Sequence, residues 1–303
     1  MQIKSHQLFT TVRPQSNIGR IVQFPLSRIP IVIAFLLPVT VLHNLFVEFI
    51  LKGFEEPAYS YILNIETIIN FALFLLLYRL YTRVVERRKP YEMSRSSCLK
   101  ELDYGFVIGG GLILIMVALL SVLGYYRVES TDTWSVILNA VFLFGMGAFV
   151  QELFFRIIVF KLVEEWLGTW LALLVAALIF SALHIGNPNV TVWTTIALIL
   201  QDVLLSAAFI YTRRIWFVWG IHAGWNFFQD GIFGMPNSGV TSLDSWITPV
   251  ISGPEWLTGG SFGVEASYLS TILCIALGAT ILVGAIRKGQ LVLPIWKRVA
   301  EIP

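Results

Sequence analysis

The chain has 303 residues, 56% of them hydrophobic and only 13% charged, with a formal net charge of +2. A soluble domain of this composition would expose large apolar patches, and so small a basic excess argues against nucleic acid as a partner. The only cysteines, Cys98 and Cys274, form no CxxC, which argues against both a disulfide framework and a thiolate metal site.

The chain therefore reads as an all-α polytopic membrane protein. Residues 1–28 are polar and precede the first apolar run, so no cleavable signal peptide is expected near Met1. Apolar runs long enough for a hydrocarbon core of about 30 Å are predicted at about 29–51, 61–82, 104–126, 137–161, 169–186, 191–212, 214–234 and 267–286, about eight transmembrane helices around a buried polar cavity. Gly186-Asn187-Pro188-Asn189 and Met235-Pro236-Asn237-Ser238-Gly239 punctuate the gaps. The expected organisation is a cytoplasmic segment 1–28, three accessory helices within 29–134, a core over 135–286 and a cytoplasmic tail 287–303. With both termini inside, all but Lys52 and Arg127 of the 21 basic residues fall on cytoplasmic segments, as the positive-inside rule requires. The basic run Arg83, Arg87, Arg88, Lys89 reads as a stop-transfer signal against anionic headgroups. Gly105/Gly109 and Gly220/Gly224 have the four-residue spacing of closely packed helices.

Ionisable groups inside these spans are costly, and chains keep them where they have partners and a task. Glu152 and Arg156 lie four apart, on one helix face, and so do His222 and Asn226. His184 follows Phe180 by one turn, just before Gly186 and Pro188 break the helix. The plain alternatives are a buried ion pair that fixes a helix, a capped histidine and an interhelical hydrogen bond. Counting from the span ends places Gln151 and His222 near the membrane midplane and His184 in the outer third. Carboxylate, imidazole and amide converging in a wet cavity suit amide hydrolysis: a base takes a proton from water while imidazole and amide stabilise the oxyanion. No HExxH is present. Two histidines and a carboxylate can bind zinc, so Glu152, His184 and His222 are candidate metal ligands, although their spacing demands no cofactor.

These residues resemble the CPBP family of intramembrane proteases, which includes the type II CAAX prenyl endopeptidases and the bacterial Abi group. The family pattern EExxxR, FxxxH, HxxxN stands here as Gln151-Glu152 with Arg156, Phe180 with His184, and His222 with Asn226. The likeness covers roughly residues 135–285 and includes the segment Leu257 to Glu265. It implies an endopeptidase acting on a membrane-tethered, lipidated or prenylated CAAX-type peptide, with the pattern's first glutamate, or Glu152 in its place, activating water together with His184, with His222 and Asn226 as the oxyanion site, and with Arg156 orienting the acid pair. One departure matters: the first glutamate of the pattern is Gln151, which cannot act as a base, and losing a general base typically costs about 10²–10⁴-fold. Glu152 taking over, which requires a turn of about 100° around the helix, a member that binds without cutting, and an introduced inactivating substitution all remain open. The competing functions are a membrane scaffold or immunity factor, for which Gln151 speaks, and a transporter or channel, against which the missing internal repeat speaks. Lipid and a peptide or lipidated protein are the expected partners, and the plasma membrane the expected location in a prokaryotic host.

Overall fold

The structure is a computed structural model that describes residues 5–10, 14–56, 58–241 and 245–298. Eight helices form the bundle: α1 (Pro25–Phe49), α2 (Ala58–Val84), α3 (Cys98–Val122), α4 (Trp134–Leu167), α5 (Thr169–Leu183), α6 (Val192–Thr212), α7 (Ile215–Asn226) and α8 (Tyr268–Arg287). Strands β1 (Tyr126–Thr131) and β2 (Ile247–Ile251) pair antiparallel, with Tyr126 opposite Ile251. The chain is an integral membrane protein of the all-α polytopic class, with this one ribbon outside the helical pattern.

Each expected span has its helix, but the count of eight is too high by the measure of length and apolarity. Among the described residues, six helices qualify as membrane-crossing: α1 with its extension to Gly53, α2, α3, α4, α6 and α8. Helix α5 has 15 residues, about 22 Å at 1.5 Å per residue, and ends at Leu183 where His184 caps it. Helix α7 has 12 α-helical residues and continues as a π-helix, Phe227–Ile232. A second π-helix, Leu153–Phe160, interrupts α4 directly after Glu152. Such widened turns recur at functional sites, and here both follow a motif residue.

The glycine pairs bring α3 and α7 into backbone contact. A Cβ on Gly105 would lie 2.8 Å from the Ile221 nitrogen, one on Gly109 2.8 Å from the Trp225 nitrogen, and one on Gly224 2.9 Å from the Phe106 Cα. Tight seating of α7 on α3 positions the side of α7 that carries His222.

The bundle has two chemically distinct ends. At one, the end of α4, the start of α5, the end of α6 and the segment after α8 are tied together: Arg213 pairs with Glu164 at 2.5 Å and also bonds the Gln290 carbonyl, and the Val292 N–H donates to Thr169 Oγ1 at 2.8 Å. The same end holds a buried charge network. Arg28 reaches Glu86 (2.9 Å) and Glu165 (2.5 Å), Arg88 reaches Glu86 (2.6 Å) and Glu92 (2.5 Å), and Lys161 reaches Glu86 (3.2 Å). Tyr78 donates to Glu92. Burial alone would raise the Glu92 carboxyl, but Arg88 and Lys161 outweigh it and hold it down at about 2. Two assignments from sequence change accordingly. Arg88 is not a headgroup contact, its side chain being 5% exposed within this network, whereas Arg83, Arg87 and Lys89 are exposed. Arg156, counted with the cytoplasmic charges, lies fully buried in the bundle. Lys4 and Arg13, of the same basic set, and the acidic Asp244 lie outside the described residues.

At the other end, the α5–α6 connection meets the segments before α8. Asn187 Nδ2 donates to the Ser238 carbonyl (2.8 Å), Trp193 Nε1 to the Ala266 carbonyl (2.7 Å), and Gln201 Nε2 to Thr271 Oγ1 (3.2 Å). The β1–β2 ribbon joins the α3–α4 connection to the chain after α7 at this same end.

Candidate active site

Between mid-bundle and this second end lies a cavity of about 360 Å³. Gln151 of α4, His184 at the end of α5, His222 and Asn226 of α7, and Glu265 from the segment before α8 all line it. His184 reaches the same cavity as Gln151 and His222 despite its expected shallower depth, because α5 stops short and the cavity extends from the core toward that end.

The two imidazoles are held by their Nδ1 atoms. His184 Nδ1 lies 2.7 Å from the Phe180 carbonyl oxygen, one turn back along α5. A carbonyl only accepts, so Nδ1 carries the proton and the neutral ring keeps its lone pair on Nε2. Phe180 also lies beside the ring, with centroids 4.6 Å apart, and packs edge-on against Phe155 at 4.9 Å. His222 Nδ1 lies 2.7 Å from Glu152 Oε1, so it too donates through Nδ1 and leaves Nε2 for the cavity.

Glu152 is fully buried and is not in the cavity wall. Its second oxygen accepts from Arg156 Nε at 2.9 Å. Arg156 in turn grips Asp202 of α6 with both terminal nitrogens, one at 3.0 Å, and donates to Ser206 Oγ at 2.8 Å. Ser206 closes the ring by donating to Asp202 Oδ2 at 2.9 Å. The chain His222–Glu152–Arg156–Asp202 thus links two residues of the cavity wall, His222 and Asp202, through the buried Glu152 and Arg156 behind it. Glu152 as a replacement for the carboxylate missing at Gln151 meets a geometric obstacle, since both its oxygens are occupied behind the wall, and Gln151 keeps the cavity-facing place.

Sequence reasoning overlooked Asp202, Ser206 and Glu265. An aspartate in the middle of an apolar helix is itself a signal, and its i,i+4 partner Ser206 strengthens it. Glu265 closed a segment included in the family likeness, but nothing marked it as a cavity group, because it lies in irregular backbone where spacing says nothing about neighbours. It is 6% exposed and accepts from the Ser238 N–H (2.8 Å), Ser238 Oγ (3.1 Å) and Gln229 Nε2 (3.2 Å). Burial pushes its carboxyl up to about 7, against those hydrogen bonds.

Gly259-Gly260-Ser261-Phe262-Gly263 spells G-x-S-x-G, the serine-hydrolase pattern. The context is wrong for a nucleophile. Ser261 is exposed in a short 3₁₀ turn, Gly260–Phe262, rather than at a strand-to-helix elbow, and it does not line the cavity. Glu152, His184 and His222 are the candidate zinc ligands. Glu152 is spent on Arg156 and His222 Nδ1, and no group of three histidine, cysteine, aspartate or glutamate side chains among the described residues is placed to hold a metal ion.

The family model described as "Type II CAAX prenyl endopeptidase Rce1-like" matches residues 132–228, about a third of the chain, which contain all three motifs. No curated protein and no solved structure matches the chain. Over the helices that build this cavity, the chain is therefore similar to the type II CAAX prenyl endopeptidase family.

Proposed function

We propose that the protein is an intramembrane endopeptidase that hydrolyses a peptide bond in the cavity with His184 as the base. The observation that carries this reading is that both imidazoles are anchored through Nδ1, which leaves Nε2 outside those bonds, and that both line one cavity. His184 Nε2 takes a proton from water, the hydroxide attacks the peptide carbonyl carbon, and the oxyanion accepts hydrogen bonds from Asn226 Nδ2 and from His222 Nε2–H in its protonated form. Collapse of the tetrahedral species breaks the C–N bond, and His184 returns the proton to the departing amine. Glu152 and Arg156 are positioning residues here, orienting His222. Gln151 holds the water by a hydrogen bond but accepts no proton, so turnover is expected to be slow. No step requires a metal. The substrate is a peptide or lipidated protein at the membrane, both termini face the cytoplasm, and lipid surrounds the bundle.

Gln151 also supports a second reading, a scaffold that binds peptides without cutting. A peptide library incubated with reconstituted protein and read by mass spectrometry separates the two. Cleavage by wild type that disappears in His184→Ala establishes the protease. Cleavage by Gln151→Glu alone establishes a binding protein with a dormant site.

A further inference from the structure

The cavity and the basic residues occupy opposite ends of the bundle. Its mouth is built by Asn187 from the α5–α6 connection and by Asn237, Ser238 and Val240 from the chain after α7, with Val240 53% exposed. These connections are the far ends of helices whose near ends carry Lys161, Arg213, Arg214, Arg287 and Lys288. Arg79 to Lys100, with seven basic residues, lies at that near end as well, since Glu86 and Glu92 pair with Lys161. Among the described residues, the exposed charges at the mouth end are Glu48, Glu55, Glu56, Glu129, Asp132 and Glu255 against Lys52 and Arg127. Lysine and arginine near helix ends are retained on the cytoplasmic side, and acidic residues contribute little to that choice. Removing Arg156, which lies inside the bundle, and the undescribed Lys4 and Arg13 from the count leaves the skew intact.

We infer that the cavity opens to the non-cytoplasmic face of the membrane, and that its substrate is a polypeptide presented on that face, an exported or membrane-anchored chain with an extracytoplasmic segment. This inference rests on the proteolytic reading for its substrate and on the charge distribution alone for its sidedness. A prenylated CAAX terminus, which is made and displayed on the cytoplasmic face, lies on the wrong side. The depth of the site agrees: Gln151 and His222 are in the core of the bundle, and every loop residue that lines the cavity belongs to the mouth end.

Sidedness is testable without any activity. In full-length protein with Cys98 and Cys274 replaced by alanine, single cysteines are placed at the mouth (Val240→Cys), on the ribbon (Glu129→Cys, a second reporter should the first misfold) and at the basic end (Arg83→Cys). Intact cells are treated with a membrane-impermeant maleimide. Val240→Cys and Glu129→Cys are expected to label in intact cells and Arg83→Cys only after permeabilisation; the reverse pattern overturns the inference and leaves the protease reading standing. Wild-type protein, its orientation read by the same labelling, is then offered an impermeant fluorogenic peptide from each face of sealed vesicles. Cleavage from the mouth face alone supports the substrate assignment, and cleavage from the basic face alone overturns it. Cleavage from neither face, even after permeabilisation, overturns the assignment through the proteolytic reading on which it depends.

Discussion

Buried carboxylates near the basic end and in the cavity wall are treated differently by this fold. Glu86 and Glu92 each face two or more cations, Arg28, Arg88 and Lys161 among them, and cannot change protonation without breaking the network. Glu265 faces the neutral donors of Ser238 and Gln229, and His184 a neutral carbonyl. The first arrangement locks charges in place and joins α1, α4 and the α2–α3 connection. The second surrounds each group with neutral partners, and there burial pushes the Glu265 carboxyl up to about 7. Glu152 stands between them: locked by Arg156 on one side, it directs His222 on the other.

The sharpest way to break this comparison is to exchange the loss of a proton carrier for the loss of a lock. His184→Ala should reduce peptide cleavage by about 10²–10⁴-fold with an unchanged Tm, since the ring is half-exposed at a helix end. Lys161→Met should do the opposite. Leaving Glu86 and Glu92 short of a buried partner costs about 3–5 kcal/mol, read as lower thermal stability in detergent, while turnover per folded molecule stays within about twofold. Gly109→Leu should come next, because its side chain would enter the α7 backbone; overpacking of this kind costs about 1–3 kcal/mol or more and should impair both stability and cleavage by shifting His222.

The two pH responses run in opposite directions. The Glu265 carboxyl, raised to about 7, binds a proton in the folded state that the unfolded chain has already released, so it costs stability as pH rises from the ordinary carboxylate range through 7. Glu265→Gln, which can still accept from the Ser238 N–H and Gln229 and donate to Ser238 Oγ, should raise Tm at pH 8 and leave it unchanged at pH 4. Glu92, held at about 2, contributes stability above the ordinary carboxylate range that is lost as pH falls toward 2. Glu92→Gln should flatten that acid limb in a thermal scan. The smallest effect belongs to exposed Lys89, where Lys89→Gln should change stability by no more than about 0.5 kcal/mol.

Much of this was legible in the chain itself. Hydrophobic runs located every helix, since lipid requires a helix wherever the backbone crosses, and the paired glycines marked the α3–α7 contact. The residues Gln151, His184, His222 and Asn226 were legible as cavity groups because polar side chains stand out in apolar helices. What stayed hidden depends on rotation and on irregular backbone. No periodicity tells that the π-helix after Glu152 accompanies a carboxylate turned away from the cavity, that Arg156 reaches Asp202 on a helix 46 residues away, or that Glu265 folds in beneath Ser238. Arg88 and the exposed Arg83 and Lys89 look alike in sequence, and only the tertiary partners Glu86 and Glu92 separate them.

The most direct test of the account is the tautomeric state of the two histidines, read by ¹⁵N NMR of labelled protein in lipid bilayers. The account predicts that neutral His184 carries its proton on Nδ1, with a bare Nε2 that responds to a transition-state-mimicking peptide inhibitor, and that His222 carries a proton on Nδ1, donated to Glu152. His184 protonated on Nε2 in the resting protein, or indifferent to the inhibitor, would contradict it.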